Sequence, residues 1–186
     1  MRAEVMTLGT PNPRQREFLA CEKKYVAFGG ARGGGKSWAV RCKAKLLALR
    51  YAGIRILLVR RSLAELEANH LAFLRQELAD VAEYRAGERQ FRFCNGSVLQ
   101  FGYCGCDRDL DRYQGAEYDV IFLDEATQLK EQWMRQIAAC VRGVNDFPKR
   151  IYYTCNPGGP GHGYIKRLFI DRRFEDGELS LIHISE

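Results

Sequence analysis

The chain has 186 residues, of which 46% are hydrophobic, 28% charged and 11% aromatic, enough apolar mass for one core and the wrong composition for a disordered, collagen-like or coiled-coil protein. Twenty-nine basic residues against 23 acidic give a net charge of +6, which suits a polyanionic partner without demanding one. No apolar run approaches the roughly 20 residues of a membrane-spanning helix, Met1 to Thr10 carries no apolar signal core, and the odd number of cysteines fits reduced thiols, so a cytoplasmic protein with no membrane partner is expected.

Asn12, Pro13 and Gln15 read as the N-cap, first-turn proline and capping-box partner of a short helix running to about Cys21. Tyr25 to Phe28 is a short apolar run that ends in Gly29 and Gly30, as a buried strand entering a glycine loop would. Trp38, Val40, Leu46, Leu47 and Leu49 then lie in a stretch without Gly or Pro up to Gly53, which predicts a helix. Ile54 to Val59 is strand-like, and Ser62 with Glu65 opens a further helix carrying Leu66, Leu71, Leu74 and Leu78. Phe91 and Phe93 alternate with polar residues before Asn95-Gly96, and Val98 to Phe101 follows, so an antiparallel hairpin is inserted there. Val120 to Leu123 is apolar at every position, as a strand covered on both faces requires. A helix with Trp133, Ile137 and Val141 comes next, then a strand from Ile151 to Thr154 and a last helical pattern after Gly163. The order predicts an α/β fold with a mainly parallel sheet, helices on both faces and the hairpin inserted.

Gly30-Ala31-Arg32-Gly33-Gly34-Gly35-Lys36-Ser37 fits G-x-x-x-x-G-K-[ST] and stands between a predicted strand and a predicted helix, the context of a P-loop NTPase. Glycines let a curved row of backbone N–H groups approach phosphates closely, and the helix N-terminus adds its positive dipole end. Lys36 is expected on the outer phosphates of ATP. Ser37 is expected on Mg²⁺, an ion that takes few protein ligands. Arg32, inside the loop, is either a catalytic arginine approaching the γ-phosphate in cis or an exposed loop residue, in which case a neighbouring subunit supplies any such arginine. A glycine-rich turn with an exposed lysine is the alternative without a ligand.

Asp124 and Glu125 follow an all-apolar strand, at the edge where open α/β sheets bind ligands. Asp124 is expected to hold Mg²⁺ and Glu125 to orient and activate the attacking water. An acidic pair at a helix N-terminus is also explained by the dipole alone. Thr154 and Asn156 end the next strand, and read equally well as γ-phosphate sensors or as the start of an Asn-Pro-Gly-Gly turn. Gln15 either reads an adenine edge or serves only its capping box. Cys94, Cys104 and Cys106 lack the spacing of a zinc site, and His70, His162 and His183 stand isolated, without a recognisable catalytic arrangement.

Together these segments resemble the ATPase half of the large terminase subunit, the genome-packaging motor protein of tailed bacteriophages and related viruses. The likeness spans about residues 11–175. It rests on Gln15, Gly29 to Ser37, Leu58-Val59-Arg60-Arg61, Arg112-Tyr113-Gln114-Gly115, Ile121 to Ala126 and Thr154 to Gly159. The resemblance implies Mg²⁺-dependent ATP hydrolysis that drives double-stranded DNA into a procapsid. It also implies the portal and small terminase subunit as partners, a homo-oligomeric ring during packaging, and the host cytoplasm as the site of action. It implies metal and catalytic roles for Asp124 and Glu125, and coupling of hydrolysis to movement for Thr154. Family members continue into a nuclease domain, so an ATPase domain over residues 1–178, with 179–186 as an appended or truncated end, is expected. A DNA or RNA helicase core and a nucleotide-dependent assembly module that does not hydrolyse ATP are the alternatives.

Overall fold

A computed structural model describes residues 9–30 and 33–174, and the backbone of 182–185. Helix α1 (Pro13–Ala20) begins with both halves of its capping box formed: Asn12 Oδ1 accepts from Gln15 N and Gln15 Oε1 accepts from Asn12 N, each at 2.9 Å. Strand β1 (Tyr25–Phe28) leads through the glycine loop into α2 (Lys36–Arg50), followed by β2 (Arg55–Arg60). Ser62 caps α3 (Leu63–Leu66), which runs into a π-helical turn (Glu67–Leu71) and α4 (Ala72–Glu77), so the single helix expected after Ser62 is interrupted.

Three antiparallel strands come next: β3 (Ala82–Arg85), β4 (Gln90–Phe93) and β5 (Val98–Tyr103). The hairpin between β4 and β5 turns at Asn95-Gly96 as expected, and Asn95 Nδ2 also donates to Ala48 O at 2.8 Å, tying the turn to the last carbonyls of α2. Strand β3 lacked a sequence signal, because its side chains are only half covered and it sits at the sheet edge. The remaining elements are β6 (Val120–Leu123), α5 (Glu131–Ala138), β7 (Arg150–Thr154), α6 (His162–Phe169) and β8 (Ile182–Ser185).

The eight strands form one sheet in the order β3-β4-β5-β2-β6-β7-β1-β8, with β5, β2, β6, β7, β1 and β8 parallel. The fold is therefore the expected mainly parallel α/β sheet with an antiparallel extension. Within the segment expected to be an end piece, residues 182–185 pair in parallel with β1 and extend the sheet by a strand.

Alternation along the central strands explains their unbroken apolar sequence. Val26, Ile56, Leu58, Val120, Phe122 and Tyr152 face α1, α2 and the segment around Leu66 to Leu78, whereas Ala27, Leu57, Val59, Ile121, Leu123 and Tyr153 face α5 and α6. Each fully buried large apolar side chain stabilises the fold by about 1.5–3 kcal/mol, and both faces contribute. Lys43, on the buried side of α2, donates to Leu19 O and Cys21 O and so fastens the end of α1 to α2. None of the seven cysteines, all among the described residues, forms a disulfide.

Candidate nucleotide and metal site

Four parallel neighbours, β2, β6, β7 and β1, bring their C-terminal ends to one edge of the sheet. A cavity of about 380 Å³ opens there, within the usual size of a small-molecule site. Gly33, Gly34, Gly35, Lys36 and Ser37 form one wall, and Asp124, Glu125, Thr154 and Asn156 the other, with Trp38 and Asn69 completing it. Ala31 and Arg32 lie outside the described residues.

Gly35 is the N-cap of α2 and adopts φ 71°, ψ 23°, a left-handed conformation that L side chains rarely take. A Cβ at this position would also stand 2.4 Å from Gln15 Nε2. Gln15 Nε2 donates to Gly35 O at 3.2 Å, while its Oε1 remains in the capping box. The Gln15 amide thus joins α1 to the glycine loop, and both of its polar atoms are used within the protein. Lys36 is buried at the start of α2 and donates to Gly30 O at 3.0 Å, across the mouth of the loop. Burial lowers its ammonium from the ordinary lysine value, and the nearby Asp124, Cys155 and Glu125 oppose that shift.

Asp124 is buried at the end of β6, with its carboxylate gripped from several sides. Ser37 Oγ donates to Oδ2 at 3.2 Å, Thr154 Oγ1 donates to Oδ1, and His70 Nε2 lies 2.7 Å from Oδ2. Arg60 Nε stands 3.1 Å from Oδ2 but is not aligned for a hydrogen bond, so that contact is purely electrostatic. Burial alone raises the Asp124 carboxyl; the charge and hydrogen bond of His70, then Arg60 and Thr154, outweigh it and hold the group below the usual carboxylate range.

Glu125 occupies left-handed space, at φ 53° and ψ 47°, a conformation that costs a non-glycine residue about 1–2 kcal/mol. Strain of this kind persists where the surroundings over-determine it. Here Thr154 Oγ1 accepts from Glu125 N at 2.9 Å, Gln128 N donates to Glu125 O at 2.9 Å, and the carboxylate pairs with Arg60 at 2.8 Å and with Asn156 Nδ2 at 3.3 Å. The backbone kink turns Glu125 from the strand direction toward the cavity rim, where its side chain is partly exposed.

Thr154 therefore serves both carboxylate residues, donating to the side chain of one and accepting from the backbone of the other. Asn156 reaches the second from the turn after β7, and Thr127 Oγ1 fixes that turn by donating to Asn156 O at 2.8 Å. Close packing at Gly159, where a Cβ would meet Thr127 O at 2.3 Å, holds the same turn against the Ala126–Gln128 segment. The Thr-Cys-Asn-Pro-Gly-Gly stretch is thus a strand-ending turn and a wall of the cavity at once. Burial pushes the thiol of Cys155, which lines a neighbouring cavity, up to about 12.

The family profile described as phage terminase large subunit matches residues 22–185. The chain belongs to this family. Among solved structures, the large terminase of a thermophilic bacteriophage in complex with ADP superposes with a TM-score of 0.69 at 16% identity, covering 86% of this chain and 42% of that one. The ATPase domain of the Thermus phage P74-26 large terminase gives 0.65 at 16% identity, covering 90% and 74%. The N-terminal domain of the bacteriophage phi29 DNA packaging ATPase gives 0.60 at 20% identity, covering 95% and 96%. At these identities the likeness establishes the fold. The terminase chain spans about two-fifths of the length of the full large terminase it matches. No curated protein sequence matches it.

Four residues of this terminase site were not foreseen from the sequence: Arg60, His70, Asn69 and Trp38. Arg60 was noted only as part of a family-like segment, and His70 as an isolated histidine. The spacing held one usable signal, because Leu66 to Leu71 is a five-residue step where a regular helix steps by three or four. That step is the π-helical turn, which lets both His70 and Leu71 point inward. His162, at the start of α6, lines a neighbouring cavity with Asn156 and Cys155 rather than this one. His183 is described by its backbone alone.

Proposed function

We propose that this chain binds ATP with Mg²⁺ in the cavity at the end of the parallel strands and hydrolyses it. In the complete large terminase the released energy drives double-stranded DNA into a procapsid. The observation that carries the reading is the meeting, around one cavity, of a glycine loop with its lysine and two acidic residues held in separate environments.

Ser37 and Asp124 fit a hard divalent cation: their oxygens lie 3.2 Å apart, Asp124 is kept ionised, and Mg²⁺ needs few protein ligands. When bound there, the ion would neutralise charge on the outer phosphates. The glycine-loop amides and Lys36 bind and orient the phosphates, with Lys36 exchanging its carbonyl partner Gly30 for phosphate oxygens. Glu125, aimed by Arg60 and Asn156, positions the attacking water and accepts its proton at a carboxylate oxygen. Arg32 is proposed as the cis arginine at the γ-phosphate, and Gln15 as a support of the loop that also borders the adenine. Portal, procapsid and small terminase subunit are the proposed partners, with a homo-oligomeric ring as the working assembly in the host cytoplasm.

The test is Lys36→Ala. Losing hydrogen bonds from a charged donor costs about 1.5–3 kcal/mol, so calorimetry should read ATP affinity about 10- to 100-fold weaker, with turnover abolished. Native affinity and rate in the variant would refute the assignment of the loop. Steady ATP turnover stimulated by DNA or procapsid separates a motor from a module that only binds nucleotide.

A further inference from the structure

His70 is fully buried, and the Asp124 carboxylate beside it, which already accepts from Ser37 Oγ and Thr154 Oγ1, takes a further hydrogen bond from His70 Nε2–H at 2.7 Å. Its other nitrogen, Nδ1, is buried with no hydrogen-bond partner among the described residues. An unsatisfied polar atom of this kind is costly, and a leucine or phenylalanine would fill the same space without that cost. The hydrogen bond to Asp124 is what distinguishes a histidine here from an apolar residue.

The segment that carries His70 is braced for this contact. Ala72 N donates to Glu67 O, five residues back, and the extra residue in that turn swings His70 toward β6. Arg41, from α2, donates to Asn69 O at 2.6 Å, and Arg60, from β2, donates to Glu65 O at 3.2 Å. Asn69 Nδ2 closes onto Glu65 O at 2.7 Å, while Asn69 itself borders the cavity. Two arginines from different elements thus hold the carbonyls that lead into the histidine, one at Glu65 in α3 and one at Asn69 in the turn itself.

We propose that His70 is a positioning residue for the metal site: its Nε2–H pins Oδ2 of Asp124, so that the carboxylate meets a nucleotide-bound divalent cation in one fixed orientation. This rests on the reading of Asp124 as a metal ligand. Hydrogen-bonding partners of ligating groups typically contribute 10- to 100-fold to metal affinity, because they remove the cost of orienting the ligand. Ser37, Thr154 and Arg60 stay in place without the histidine, so a weakened site rather than an abolished one is expected.

The experiment measures Mn²⁺ binding by electron paramagnetic resonance in the presence of a non-hydrolysable ATP analogue, with analogue affinity in EDTA as the check that the loop is folded. His70→Phe should bind Mn²⁺ about 10-fold or more weakly while keeping its metal-free analogue affinity. His70→Gln places an amide N–H near the position of Nε2, and should restore Mn²⁺ affinity to within about threefold of native. In turnover the Phe variant should need more Mg²⁺ for half-maximal rate, and recover most of kcat when Mg²⁺ saturates. If the Phe variant does not fold, His70→Asn, whose shorter amide falls short of Oδ2, takes its place with the same expected loss. Native Mn²⁺ affinity in the Phe or Asn variant, alongside loss in Asp124→Asn, would overturn the proposal and leave Asp124 as the ligand. Equal impairment of Phe and Gln would overturn it as well. Native Mn²⁺ affinity in Asp124→Asn would remove the metal reading itself.

Discussion

Replacing Thr154 by valine removes one hydroxyl and keeps the shape of the side chain, yet it breaks two bonds. Asp124 Oδ1 loses its donor, and Glu125 N loses its acceptor inside a left-handed kink. A hydrogen bond to a charged group is worth about 1.5–3 kcal/mol, and a buried N–H left unpaired costs about 1–3 kcal/mol. Asp124 keeps His70, Ser37 and Arg60, which places the total near the low end, at about 3 kcal/mol. For a chain of this size that corresponds to a fall of about 6–12 °C in the unfolding midpoint. Thr154→Ser keeps the hydroxyl and gives up one methyl, for a loss of about 1 kcal/mol. Thermal and urea unfolding of the three proteins, followed by circular dichroism, makes the comparison. A valine variant within about 1 kcal/mol of native, or a serine variant as unstable as the valine one, would refute the bridging role. A threonine that touched only a bound phosphate would leave unfolding in the absence of nucleotide unchanged. The coupling role implied for Thr154 by family resemblance is then to be read from Thr154→Ser, as DNA packaged per ATP hydrolysed in the full-length protein.

Glu125→Gln preserves the size of the side chain and an oxygen for Asn156 but removes the base, so ATP binding should persist while turnover falls by about 10² or more; a variant with native kcat in a steady-state phosphate-release assay would remove Glu125 from the chemistry. Burial, helped by Arg150, lowers the Lys43 ammonium to about 8 from an ordinary 10.5, so between those values the unfolded chain binds more protons than the folded one. Stability should therefore rise as pH increases from about 8 toward 10, whereas below about 8 both states carry the proton and Lys43 adds no further pH dependence. Urea midpoints across this range should climb for the native chain and stay flatter for Lys43→Met, whereas identical slopes would exclude Lys43 as the source.

Much of this protein is written in consecutive residues. The Asn12–Gln15 capping box, the glycine loop before Lys36, the Asn95-Gly96 turn and the all-apolar Val120–Leu123 strand each depend on neighbours a few positions apart, and each forms where its pattern stands. Those same patterns place Lys36 and Ser37 at a helix start and Asp124 and Glu125 at a strand end, which suffices to nominate the site. The arrangement within the site is different in kind. Strand order sets β2, β6 and β7 side by side although long stretches of chain separate them, and only that order brings Arg60, Asp124, Glu125 and Thr154 together. His70 reaches Asp124 across 54 positions because a π-helical turn, braced by Arg41, rotates it inward. The left-handed Glu125 has no local sequence cause, since no glycine or asparagine occupies its place; bonds from Thr154 and Gln128 hold it there. Local chemistry therefore determined which residues are candidates. Contacts between distant strands decided how their charges are paired, because pairing energies in a buried site depend on angstrom-scale distances that no sequence spacing encodes.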